Sequence, residues 1–149
     1  MGAFFIAELI YLEGYASEQF CIKRCLLDME NTRQLIEKIN QFFVEGNMEG
    51  FLDYLAEDVI WEMYTSSSGH TLMNGKNAIL NMDGSGMPEH TGFEFGTVVI
   101  EANVASVQGK STGKLENGEQ YIGHFCDVYH FKDRKIIKIE SYVIDNRKI

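Results

Sequence analysis

Proline, cysteine and basic residues are scarce in this chain of 149 residues. Pro88 is the only proline, and no low-complexity linker or internal repeat divides the sequence, so one domain of ordinary size is expected. The three cysteines, Cys21, Cys25 and Cys126, are an odd number without a CxxC pair, which argues against a disulfide framework or a zinc ribbon. Reduced thiols suit a cytoplasmic protein. Thirteen Lys and Arg stand against 22 Asp and Glu, for a net charge of −9. An acidic surface repels phosphate backbones, so nucleic acid is not expected as a partner. No apolar run approaches the roughly 20 residues needed to cross a bilayer, and no membrane partner is expected either.

What is present is a globular composition, 45% hydrophobic and 23% charged. Gly2 to Leu12 is rich in apolar residues but carries Glu8 and no preceding basic residue, so it makes a poor signal peptide. Met29 opens the stretch where a clean helical pattern begins. Residues 1–29 therefore read as an N-terminal extension and residues 30–149 as the domain; an added helix packed through Phe20, Leu26 and Leu27 is the rival reading.

Leu35, Ile36, Ile39, Phe42 and Phe43 lie on one helical face. Gly46 is placed to stop that helix and Asn47 to cap a short second one with Met48, Phe51, Leu52 and Leu55 inward. Asp58 to Thr65 changes to the period of a strand, with Val59, Trp61 and Met63 on one side and Ile60, Glu62 and Tyr64 on the other. Ser66 to Gly69 marks a loop, and Lys76 to Met82 a short third helix, closed off by Gly84, Gly86 and Pro88. Four further strands follow: Phe93 to Glu101, Val104 to Lys114, Glu119 to Phe131 and Lys135 to Asp145. Asn117-Gly118 and Lys132-Asp133-Arg134 turn the chain between them, giving an antiparallel meander. Gly96, Gly109, Gly113 and Gly123 suggest bends or bulges. The expected fold is α+β: a cone-shaped curved antiparallel sheet with three helices packed in its concave face.

One strand carries a chemical anomaly. In Gly123 to Phe131, period 2 puts Phe125, Asp127, Tyr129 and Phe131 on one face. A carboxylate among three aromatics is costly unless it is protonated, paired or solvated. Either this strand face meets water or a cation, or Asp127 sits in an apolar pocket as a chemical tool.

The order of segments resembles the nuclear-transport-factor-2-like superfamily, which includes ketosteroid isomerases and SnoaL-like cyclases. The likeness is carried by residues 43–51, 55–62 and 74–79 and by the pair 127–133 and 135–142. It implies a homodimer and a pocket for a small, largely apolar molecule, with no cofactor and no metal. Ketosteroid isomerases use an aspartate base, a helix tyrosine and a carboxyl kept neutral by its apolar site. Asp127 matches that last carboxyl, whereas Met63 stands at the base position and Ile39 at the tyrosine position. A methionine abstracts no proton and an isoleucine donates no hydrogen bond.

Another base is therefore sought. His70 lies in the loop after the first strand, and histidine is the side chain most often used as a general base, while Glu62 becomes available if the strand register slips by one; both are otherwise solvent-exposed. The candidate catalytic residues are Asp127, His70 and Glu62, and the candidate ligand-binding residues are Trp61, Met63, Tyr64, Phe125, Tyr129 and Ile39. The chemistry this set suggests is that of an isomerase, cyclase or hydratase moving a proton next to a carbonyl. The alternative is a non-catalytic binding or dimeric interaction module. His124, Cys126 and His130 fall on the opposite face of their strand and read as an interface rather than a metal cluster.

Overall fold

Between Tyr15 and Glu45 the chain has no glycine or proline, so nothing interrupts helical hydrogen bonding. The computed structural model describes residues 2–82 and 88–147, with side chains from residue 17 onward except that of His90. Its elements are α1 (Gly2–Glu45), α2 (Met48–Asp53), β1 (Leu55–Thr65), β2 (Gly69–Asn74), α3 (Lys76–Leu80), β3 (Glu89–Glu101), β4 (Val104–Lys114), β5 (Gln120–Lys132) and β6 (Lys135–Asp145). The helix expected to begin near Met29 instead continues an unbroken α1. Phe20, Leu26 and Leu27 are exposed on it rather than packed on the domain. Gly84 to Gly86 lies outside the described residues.

Among the described side chains of α1, those of the C-terminal part anchor it to the domain. Leu35, Ile36, Ile39 and Phe42 are buried as their spacing predicts. Thr32 secures the same face, its hydroxyl donating to the Ala102 carbonyl in the β3–β4 turn at 2.8 Å. Gly46, at φ +68°, stops the helix in the left-handed conformation that glycine adopts without strain. Asn47 then caps α2 by accepting the Gly50 N–H on its side-chain oxygen at 2.9 Å. The cap turns the chain sharply enough to bring Phe51 under Phe43, with ring centroids 4.9 Å apart.

The six strands form one curved sheet in the order β2-β1-β6-β5-β4-β3. The meander from β3 to β6 is antiparallel as expected, whereas β1 lies parallel to β6. Between β5 and β6 the turn places Asp133 and Arg134 at φ +50° and +62°, the two-residue geometry that suits the twist of a hairpin. A register shift between Phe95 and Val98 falls at Gly96, where β3 bends. β2 is a strand that the sequence pattern marked only as loop. Of its six residues only Met73 is buried, so it carries little alternation. Aligned partners across the sheet put Val107, Asp127, Ser141 and Met63 in one row on the concave face, and Val128, Glu140, Glu62 and Leu72 in a row on the convex face.

Candidate functional site

The concave face is not filled to its end. Helix α1 covers the rows around Tyr129, Ile139 and Ala105, which are buried with it in the core. Beyond that, the sheet and the α1–α2 junction enclose a cavity of about 950 Å³. Its wall is mainly aromatic and thioether: Phe43, Trp61, Met63, Phe93, Phe95 and Phe125. A cavity of this size and lining suits a small organic ligand.

Asp127 lies in that wall. Alternation on β5 points it inward beside Phe125, and pairing with β6 sets it opposite Ser141. The carboxylate is held by hydroxyls. Tyr129 donates to Oδ2 at 3.5 Å, Ser141 donates from β6, and Trp61 Nε1–H donates in turn to the Ser141 oxygen at 2.9 Å. Burial raises the Asp127 pKa to about 6, and the Ser141 and Tyr129 hydrogen bonds oppose that rise. Among the described residues no cation forms a salt bridge with it. The direction is that of a carboxyl in an apolar pocket. Tyr129 is pushed up as well, by burial first and then by the Asp127 charge.

The structure brings Asp127, Trp61, Met63 and Phe125 together and separates the other candidates from them. His70 is not in a loop. It lies on β2 opposite Tyr64, and its ring stacks on Tyr64 with centroids 4.7 Å apart. Tyr64 stacks in turn on Tyr142 at 5.2 Å, on the convex face. Glu62 shares that face, with its carboxylate 3.7 Å from Lys138. Because neighbours on a strand face opposite ways, placing Met63 in the cavity puts Glu62 and Tyr64 outside it. His70 and Glu62 therefore have no access to a molecule beside Asp127, and the sheet itself stands between them. Ile39 is wholly buried in the core rather than in the wall, and Tyr129 is buried beside Asp127 without lining the cavity. His130 bonds Glu140 at 3.0 Å and Cys126 contacts Ser106 at 3.4 Å. Among the described residues no three His, Cys, Asp or Glu side chains gather as a metal site.

The cavity also has wall residues that the sequence did not announce. Tyr121, Ser111 and Arg147 line it, and they come from the start of β5, from β4 and from the segment after β6. Tyr121 lies beyond the aromatic run that drew attention to Asp127. Arg147 follows the last periodic residue, so no pattern pointed to it.

The family model of the SnoaL-like domain matches residues 36–139. The chain belongs to the SnoaL-like family. Solved structures agree on the fold. A candidate isomerase from Bacillus subtilis is 18% identical with a TM-score of 0.64, covering 78% of this chain and 88% of that one. An NTF2-like protein from Burkholderia xenovorans is 18% identical with a TM-score of 0.60, covering 77% and 90%. An LEH-like epoxide hydrolase from M. tuberculosis is 13% identical with a TM-score of 0.58, covering 77% and 84%. At these identities the likeness establishes fold and not activity. No protein of curated function matches the chain in sequence. The SnoaL-like match starts inside α1, so the first 35 residues lie outside it. Among the described residues no helix is long and apolar enough to cross a membrane.

Proposed function

We propose that this SnoaL-like protein binds a small, largely apolar molecule bearing a carbonyl, and that Asp127 moves a proton next to that carbonyl. The observation that carries the reading is a carboxyl of pKa about 6, held by two hydroxyls in the wall of an aromatic cavity. A general base works best when its pKa lies near the working pH. Asp127 would take a proton from the carbon next to the carbonyl and return it elsewhere on the same molecule. That is the work of an isomerase or a cyclase, and it needs only one carboxylate. His70 and Glu62, on the far face of the sheet, have no part in it.

The test is hydrogen exchange at carbon. In D₂O, 2-tetralone exchanges the protons beside its carbonyl, and NMR follows the loss. The protein is expected to accelerate exchange with a rate that rises through pH 6 as Asp127 ionises, and Asp127→Asn to abolish the acceleration. A second reading, a binding module without turnover, is favoured by Met63 at the wall position across from Ser141, where a base could otherwise stand. Protection of cavity signals by 2-tetralone without accelerated exchange would select that reading.

The convex face supports a homodimer. Ile60, Leu72, Tyr142 and Ile144 are large apolar side chains exposed on it, and such patches mark association surfaces. Sedimentation equilibrium is expected to give twice the chain mass for the wild type and the single mass for Tyr142→Lys/Ile144→Asp. A wild-type monomer at micromolar concentration would remove the dimer. The reduced thiols suit a cytoplasmic setting.

A further inference from the structure

The donors around Asp127 form a chain with a fixed direction. An indole N–H can only donate, so the Ser141 oxygen is the acceptor where Trp61 Nε1 meets it at 2.9 Å. A serine hydroxyl carries one proton. With an oxygen lone pair taken by the indole, that proton goes to Asp127, directly across the β5–β6 pairing. Tyr129 supplies the other donor, at 3.5 Å. The sheet builds this chain from three strands. β1 runs parallel to β6 with Trp61 opposite Ile139 and Met63 opposite Ser141, so the indole reaches its acceptor diagonally. Phe51 of α2 packs on that indole, the two rings edge to face at 6.0 Å. Ser141 itself is buried, and it lines the cavity together with Trp61 and Asp127.

An O–H whose oxygen accepts a hydrogen bond is polarised into a stronger donor. The indole therefore strengthens the bond that Ser141 gives to the carboxylate, and it does so only through Ser141. Hydrogen bonds to the charged form of an acid favour ionisation. Other groups that could set the charge of Asp127 are few. The residues aligned with it are Val107 of β4, Ser141 of β6 and, one strand further, Met63 of β1, none of them charged. Tyr129 is its titratable neighbour on β5, and the other titratable groups of the described cavity wall are Tyr121 of β5, Glu45 of α1 and Arg147 after β6. The balance at Asp127 is nonetheless struck between burial, which opposes its charge, and the Ser141 and Tyr129 hydrogen bonds, which support it.

We infer that Ser141 is a positioning residue, committed by Trp61 to donate to Asp127, and that this chain keeps the carboxyl in the form that accepts a proton from a ligand. The role rests on the proton-transfer reading above, but the chain is measurable without a ligand. Carbon-detected NMR follows the Asp127 carboxyl through pH in the free protein. Ser141→Ala is expected to raise the midpoint from about 6 by roughly one pH unit, the loss of one hydrogen bond to a charged group. Trp61→Phe keeps an aromatic ring without the N–H and should raise it by less. In the Ser141→Ala background Trp61→Phe should add nothing, because its effect passes through the hydroxyl; a packing effect of the indole would persist there. Because Ser141→Ala leaves the indole N–H without its acceptor, Ser141→Cys, which retains a weak donor, is the second variant and should fall between wild type and Ser141→Ala. The pH profile of 2-tetralone exchange should move with the midpoint. A midpoint unchanged in both Ser141 variants, or a Trp61→Phe shift as large without Ser141 as with it, would overturn the inference. Midpoints that move as expected in a protein that never accelerates exchange would uphold the chain and overturn the proton-transfer reading instead.

Discussion

Asp127→Asn is expected to make the protein more stable at pH 8 while removing the proposed proton-transfer activity. The folded state raises the Asp127 pKa from 3.8 to about 6. Between those values the folded chain holds a proton that the unfolded chain has released, so stability falls as pH rises. Below pH 3.8 the carboxyl is protonated in both states and no penalty exists. Above pH 6 the penalty is complete, at most about 3 kcal/mol for a shift of this size. Asparagine keeps the shape and cannot ionise. Urea unfolding should therefore show the variant ahead by about 1–3 kcal/mol at pH 8, with the advantage shrinking below about 1 kcal/mol at pH 4. A difference that does not vary with pH would mean that Asp127 is not held in a desolvated wall. The trade is a common one, since sites that keep a charge out of water give up stability for chemistry.

Phe51→Ala should produce the largest loss of stability. Phe51 is fully buried and is the only buried residue of α2. Its ring meets Phe43 at 4.9 Å and the edge of Trp61 at 6.0 Å. Truncating a buried phenylalanine costs about 3–5 kcal/mol, and in a chain of this size that lowers Tm by roughly 10 °C or more. Leu80→Ala, at a half-exposed position on α3, should stay within about 0.5 kcal/mol of wild type. The effect should also reach the site. Trp61 orients Ser141, and Ser141 bonds Asp127, so a loosened Trp61 is expected to move the Asp127 titration measured by carbon-detected NMR. An unchanged titration in a folded Phe51→Ala protein would show that α2 does not support the carboxyl.

Local chemistry made much of this legible in advance. The meander could be read because its strands alternate and its turns carry their own signals, Asn117-Gly118 and Asp133-Arg134. The core face of α1 could be read because Leu35, Ile36, Ile39 and Phe42 keep helical spacing. Asp127 could be read because a carboxylate on an aromatic strand face has few inexpensive explanations. The break expected near Met29 had no residue to cause it, and the helix runs on. β2 was hidden because all of its residues but Met73 are exposed and so show little alternation; pairing with the free edge of β1 makes it a strand, and such pairing is not encoded in its own pattern.

The sequence by itself determined the SnoaL-like fold, the helix faces, the meander and the carboxyl on the aromatic face of β5, because periodicity and turn residues act over a few neighbours. Only the tertiary structure decided which groups share the cavity. The parallel pairing of β1 with β6 sends Met63 and Trp61 inward and Glu62 outward, and the pairing of β1 with β2 lays His70 on Tyr64 at the convex face. The C-terminal segment brings Arg147 to the rim beside Tyr121. Residues distant in the chain meet through these pairings, and no local pattern records them.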